Sequence, residues 1–307
     1  MHARWVIDAG EAAPPPSLHA VALHYDEMDD VYRRVWSDHA HHGLWRTGRE
    51  SVAEAVEALV DLVADAAGVG PGSRVVDVGS GYGATGRRLA RERSCEVVSF
   101  TISPRQFEYA RAADAGDPRL RHELRDWLHN GLPDGERDAA IAVESIGHMD
   151  TAAALREIHR VLVPGGRVVI ADLVSGDDVP RWQVGPLLRR MERESHLRPL
   201  PTRAELRARL AAGGFEAVED RDLTAGVRST WPRAVLRFAR RLPTDRAVRR
   251  VLFSDDYENA GFMLSILRMT VGYRLGTVRF VVATARKPGI PRKRPPEERP
   301  PGRAGSF

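Results

Sequence analysis

An α/β fold built on a doubly wound sheet follows from two features of the sequence. Short apolar, β-type runs alternate with segments of helical periodicity along most of the chain. Such alternation buries helices on both faces of a sheet. A glycine cluster, GSGYGATG at 79–86, joins the first of those strands to the next helix. Glycine there lets the backbone turn tightly and approach a ligand closely. The bulk composition agrees: 307 residues, 43% hydrophobic and 29% charged, can bury a sizeable core and are neither disordered nor fibrous.

Residues 1–20 read as irregular around the run Pro14-Pro15-Pro16, and 24–45 (HYDEMDDVYRRVWSDHAHHGLW) is rich in aromatics and histidine. Thr47 and Glu50 have capping-box spacing, and Val52, Val56, Leu59, Val60 and Val63 then share one helical face until Pro71-Gly72. Arg74 to Val78 is an apolar strand, followed by the glycine cluster, a helix to about Arg93, and a second strand from Glu96 to Ile102. Ser103-Pro104 supplies an N-cap and a proline at the first helical position. Ala139 to Val143 is a further strand, and Asp150 can cap a helix through Leu162 that Pro164-Gly165-Gly166 stops. Arg167 to Asp172 (RVVIAD) is the strand after it. Thr202 and Glu205 form a second capping box, Phe215 to Leu223 is a strand, 232–272 is helical, and Thr277 to Ala285 is the last strand.

The net charge of +4 suggests an anionic partner until it is located. Arg286 to Phe307 holds seven basic and two acidic residues, which leaves residues 1–285 at −1. Six of the twenty prolines also lie there, so 288–307 is expected to be a disordered, solvated tail. The body therefore does not read as a nucleic-acid binder. Lys287 and Lys293 are the only lysines, an arginine bias that reads as the codon usage of a GC-rich bacterial genome. No stretch is long and apolar enough for a membrane span, and the first ten residues lack a signal-peptide core. With one cysteine, Cys95, no internal disulfide can form, and a cytoplasmic protein is expected. His39, His41 and His42 fall within four residues, but no cysteine pair or suitably spaced acid completes a ligand set, so no metal is expected.

The stretch Gly81-x-Gly83-x-x-Gly86 matches the dinucleotide pattern, yet the second strand ends Ser99-Phe100-Thr101 without the acid a nicotinamide cofactor wants for its ribose. The wider string removes the ambiguity. VVDVGSGYGATGRRLA followed by SFTISPRQFEYAR resembles the class I S-adenosylmethionine-dependent methyltransferases, in the branch of tocopherol methyltransferases, bacterial natural-product methyltransferases and cyclopropane fatty-acid synthases. The resemblance runs from about His24 to Pro288 and includes the HYDE…W…HHGLW element, Trp231-Pro232 and GYRLGTVRFVVATARKP. It implies a Rossmann-like, doubly wound seven-stranded sheet with an N-terminal helical lid (1–47) and helical cap segments at about 176–200 and 225–275 within a domain spanning 48–287.

It also implies site roles. Asp77, Gly79 and Gly81 would lie against the methionine part of S-adenosylmethionine, whose product is S-adenosylhomocysteine. Thr101 and Gln106 would serve the ribose, and Asp126 with Trp127 the adenine; Ser80, Gly83, Ile102 and Glu144 would also border the cofactor. The string Glu144-Ser145-Ile146-Gly147-His148-Met149 resembles the family's ES-x-x-HM motif, which makes His148 the candidate base, oriented by Asp172 or Glu144. Tyr25 and His42 would reach the active site from the lid. Trp182, Trp231, Tyr257, Phe262 and Tyr273 would line an acceptor pocket, although most of the Phe262/Ile266/Met269 stripe reads rather as ordinary core. The expected reaction is methyl transfer to the oxygen or nitrogen of a small amphipathic or hydrophobic natural product. The alternative is C-methylation of an aromatic or alkene carbon through a cation stabilised by Glu144 and aromatics. The acceptor is the expected partner, and a homo-oligomer is compatible with the sequence.

Overall fold

The computed structural model describes residues 16–246, 248–249 and 261–289. The expected disordered tail, apart from Pro288 and Gly289, and the candidate pocket residue Tyr257 lie outside the described residues; so do residues 1–15.

Seven strands form one sheet: β1 (Arg74–Val78), β2 (Glu96–Thr101), β3 (Leu120–Leu124), β4 (Arg137–Val143), β5 (Leu162–Ser175), β6 (Glu216–Asp222) and β7 (Val278–Arg286). Their order is β3-β2-β1-β4-β5-β7-β6, parallel except for β7, which runs antiparallel to both neighbours. Period-2 alternation divides the core between the two faces. Val75, Ile141, Val169, Leu173 and Phe280 pack on one side, and Val76, Phe100, Ala140, Ile170 and Val281 on the other. Nearly continuous apolar strands of this kind are what a sheet covered on both faces requires.

The longer helices among the described residues are α1 (Leu18–Val31), α2 (Val52–Ala67), α3 (Ala84–Arg93), α4 (Pro104–Ala113), α5 (Thr151–Val161), α6 (Arg203–Ala212), α7 (Thr230–Arg241) and α8 (Phe262–Leu275). Several caps are those the sequence announces: Ser103 accepts from the N–H of Gln106, Asp150 from Ala153, and Thr202 makes a reciprocal box with Glu205. Others differ. The chain turns helical at Leu18 because Ser17 caps α1 directly after the prolines, so 18–20 are not irregular. The box that opens α2 is Ser51 with Glu54; Thr47 and Glu50 bond one another in the preceding loop, where Gly48 at φ +79° breaks helical geometry. Strand β5 starts at Leu162 and continues past Asp172 to Ser175, carrying a register shift opposite Arg137 and Ala139. The expected 232–272 helix is divided, with a turn at Leu242-Pro243-Thr244 after α7, since proline offers no amide hydrogen to continue it. Residues 176–200 contain three short helical pieces, Arg181–Gln183, Val184–Arg189 and Arg190–Glu194.

The N-terminal segment is fastened over the carboxyl ends of the strands. Ser103 donates to Asp26 and at the same time caps α4, Tyr109 donates to Asp38 at 2.6 Å, and the amide of His42 donates to Glu144 at 2.6 Å. Trp36, Trp231 and Phe238 join α7 to the same core, with the Trp36 and Trp231 rings stacked at 6.5 Å.

Candidate active site

The carboxyl ends of β1 to β4 open on a cleft. In a doubly wound sheet this edge is where the loops part and a ligand enters. Asp77, Gly79, Ser80, Gly81, Thr101, Ile102, Gln106, Asp126, Trp127, Glu144 and His148 line it, with Tyr25 entering from α1.

Glycine is required at the turn after β1. Gly79 sits at φ +76°, and a Cβ on it would fall 2.4 Å from Ser145 Cβ. Ser145 donates its hydroxyl to the Val78 carbonyl, tying the turns after β1 and β4 together. Gly83 is also left-handed, but it backs onto His122 and Ala110 and is not among the residues lining the cleft. It serves the loop by starting α3.

Among the described residues, two buried polar atoms on the cleft wall have no hydrogen-bond partner: Asp77 Oδ2 and Gln106 Nε2. Buried polar groups in native proteins are nearly always paired, so these two mark where a ligand would supply the partner. Burial pushes the Asp77 carboxyl up to about 7, opposed by a bond from the Gly86 amide. Thr101 donates to Gln106 Oε1 at 3.0 Å, which commits the amide oxygen and leaves its NH₂ for the cleft. A carboxylate for an ammonium and an amide donor for a hydroxyl suit the amino-acid and ribose parts of S-adenosylmethionine. Asp126 caps the turn Trp127–His129 through the Leu128 amide at 3.0 Å. Trp127 is both core and wall: it is 2% exposed, donates to the Ala154 carbonyl and meets Phe100 edge-on at 5.4 Å.

His148 Nδ1 lies 2.9 Å from the His196 carbonyl oxygen. A carbonyl only accepts, so Nδ1 carries the hydrogen and Nε2 carries the lone pair. Tyr25 Oη lies 3.0 Å from Nε2 and donates to it. Burial holds His148 below the ordinary histidine range, partly offset by the His196 carbonyl and by Glu144, and raises Tyr25 well above the ordinary phenol value. The pair is thus neutral, with a basic nitrogen under the tyrosine hydroxyl.

The expected orienting partners are not the ones present. Asp172 accepts from the amides of Gly147 at 3.2 Å and Leu173 at 2.7 Å, and its carboxyl is pushed up to about 7 by burial and by Glu144. It steadies the loop bearing His148 without touching the ring. Glu144 is engaged by His42, whose amide donates to Oε1 and whose Nδ1 lies 2.8 Å from the same oxygen. Burial raises the Glu144 carboxyl, but the His42 contacts outweigh it and keep it below the usual carboxylate range. Glu144 is left-handed at φ +51°, a strained backbone for a residue with a Cβ. Tyr273 Oη lies 2.7 Å from His42 Nε2, so Tyr273, His42 and Glu144 form one chain leading to the cleft.

The remaining candidates scatter. Trp231 is buried behind the lid, edge-on to His42 at 5.0 Å. Trp182 is 65% exposed and away from the cleft lining, a surface position where an acceptor pocket was expected. Phe262 begins α8, and Ile266 and Met269 of its stripe are buried core. Among the histidines, His41 Nδ1 bonds the His42 carbonyl at 2.7 Å and His41 Nε2 lies 3.1 Å from His39 Nδ1, so their ring nitrogens meet each other. Leu18 and Val21, which share the cleft-facing side of α1 with Tyr25, were missed because 1–20 read as irregular; their spacing of three and four was the signal. The His196 carbonyl had no side-chain signal at all.

Residues 76–170 match a family model described as a methyltransferase domain. The chain is 28% identical over 277 residues to a 27-O-demethylrifamycin SV methyltransferase of Amycolatopsis mediterranei (strain S699), covering 89% of this chain and 98% of that protein. It is 30% identical over 294 residues to a probable tocopherol O-methyltransferase, chloroplastic, of Oryza sativa subsp. japonica, covering 90% and 80%. The cyclopropane synthase MmaA2 from Mycobacterium tuberculosis superposes with a TM-score of 0.78 at 20% identity, covering 90% of this chain and 100% of that one, which shows a shared fold.

Proposed function

The chain belongs to the class I S-adenosylmethionine-dependent methyltransferases, and from that premise we propose that it methylates an oxygen or nitrogen of a small, amphipathic or hydrophobic natural product, with His148 as the base. When bound, S-adenosylmethionine supplies a methyl group already made electrophilic by its sulfonium. What the protein adds is alignment, exclusion of water and removal of a proton.

Asp77 would pair with the cofactor's ammonium and Gln106 Nε2 would donate to its ribose. Gly79 and Gly81 let the backbone approach between them. The observation that carries the reading is the His148 ring. Its Nδ1 hydrogen is anchored on the His196 carbonyl, and its Nε2 lone pair points to Tyr25 on the cleft wall. Tyr25 would take the proton that the acceptor oxygen or nitrogen gives up on methylation, while its own hydroxyl proton would pass to His148 Nε2. The low proton affinity of the resting ring keeps Nε2 free near neutral pH, and the ionised Glu144 favours the imidazolium once it forms. A positioned base of this kind contributes about 10²–10⁴-fold.

The test is His148→Ala, assayed for S-adenosylhomocysteine release with a hydroxylated or amine-bearing acceptor. Turnover should fall by about 10²-fold or more with cofactor affinity unchanged; full turnover would end the base assignment. Carbon methylation through a cation is the competing reading, favoured by one observation, the ionised Glu144 carboxylate on the cleft wall.

A further inference from the structure

Helices α7 and α8 bury one side and leave the other uncovered. On α8, Leu264, Leu267, Val271 and Leu275 are 43–52% exposed and follow one another at spacings of three and four, which places them on a single face. The opposite face, with Ile266, Met269 and Tyr273, is core. On α7, Trp231, Ala234 and Phe238 are buried and Leu236 is 50% exposed. Trp182 is exposed beside the C-terminal end of α8, since its neighbour Gln183 accepts from Thr277 just past that end.

The two helices themselves carry charge of one sign, although acids stand in the chain between them at 245–258. Residues 224–244 and 261–289 contain no aspartate or glutamate. A pocket between the two helices is lined by Arg228, Arg233 and Arg274, with Pro232, Thr270 and Tyr273. Among the described residues, Arg228, Arg240, Arg241 and Arg274 make no ion pair, whereas Arg268 and Arg279 are matched by Glu194 and Asp222. The body as a whole is slightly acidic, so this cationic face is a local departure.

An exposed apolar stripe flanked by unpaired arginines is the signature of a surface that rests in a lipid headgroup layer. We propose that α7 and α8 dock the enzyme on anionic lipid surfaces, with Leu264, Leu267, Val271 and Leu275 entering the interface and Arg228, Arg240, Arg241 and Arg274 meeting lipid phosphates. The inner faces of the same helices carry Trp231 and Tyr273 against His42, which in turn contacts Glu144 at the cleft. A lipid surface would therefore lie one helix thickness from the active-site wall. The docking does not depend on which acceptor atom is methylated.

The full chain is tested by co-sedimentation with vesicles of phosphatidylcholine, with and without phosphatidylglycerol. Wild type should bind the anionic vesicles, and raising the salt should weaken binding. Each of Arg228→Gln and Arg274→Gln should lower partitioning about fivefold, and Leu267→Glu with Val271→Glu at least tenfold, while circular dichroism stays unchanged. Free glycerol phosphate should not compete at concentrations matching the lipid phosphate. No binding by wild type, or equal binding by wild type and all variants, overturns the proposal. So does binding that survives these substitutions but is lost on deleting 290–307, which would place it in the basic tail. Dimerisation abolished by Leu267→Glu, without vesicle binding, would assign the stripe to a second copy and equally overturn it.

Discussion

Replacing Asp77 with asparagine isolates the contribution of one unpaired oxygen. Asp77 Oδ2 is buried without a partner, and burial holds the carboxyl at about 7 in the ligand-free protein. A cationic ammonium placed there binds the ionised form, so affinity must fall as the acid protonates below that value. From pH 8 to pH 6 the ionised fraction drops about tenfold, and the cofactor Kd should rise by the same factor. Asp77→Asn keeps the shape and removes the charge. Truncating one partner of a buried charge pair costs about 2–5 kcal/mol, so Kd should rise roughly 30-fold or more at pH 8, and the pH dependence should flatten. The same substitution should leave the fold intact or firmer. An acid whose folded pKa is raised above its unfolded value is increasingly unfavourable to folding as pH climbs from about 4 to about 7, and asparagine escapes that. Isothermal titration with S-adenosylhomocysteine at three pH values, alongside thermal melts, reads both. A variant binding within twofold of wild type, or a wild-type affinity flat from pH 6 to pH 8, refutes the assignment.

Further predictions concern the scaffold around that site. Tyr273→Phe removes the hydroxyl 2.7 Å from the wholly buried His42 ring and should cost about 1–3 kcal/mol in urea denaturation, by leaving a buried nitrogen unpaired. Gly79→Ala combines φ +76° with a Cβ 2.4 Å from Ser145 Cβ; it should abolish cofactor binding in titration calorimetry and destabilise the protein by about 2 kcal/mol or more, since backbone strain and overpacking each cost about 1–3.

Much of this was legible in the sequence because it is locally encoded. Six of the seven strands, the glycine turn and the caps at Ser103, Asp150 and Thr202 depend on residues within a few positions of one another, whereas β3, with its alternating polar residues, was not delimited. The cleft positions of Asp77, Thr101 and Glu144 follow from strand ends, which the topology carries to one edge, and Gln106 lies in the first turn of α4 just after β2. The failures are non-local. Asp172 and His148 share a neighbourhood, but backbone amides of Gly147 and Leu173 take the carboxylate, and the imidazole turns to the carbonyl of His196, 48 residues along the chain. Aromatic residues alone could not tell core from surface: Trp231 packs behind the lid while Trp182 faces solvent. The cationic face of α7 and α8 stayed hidden in a near-neutral body, because the matching acids lie in other segments.

The central claim, transfer to a heteroatom assisted by His148, is tested most directly by where the methyl lands. Turnover with trideuteriomethyl-labelled S-adenosylmethionine and an acceptor offering both a free hydroxyl and a nucleophilic ring or alkene carbon, read by carbon NMR of the product, gives the answer. The geometry of Tyr25 over His148 Nε2 predicts the label on oxygen. A label on carbon, formed at the same rate by wild type and His148→Ala, would contradict it.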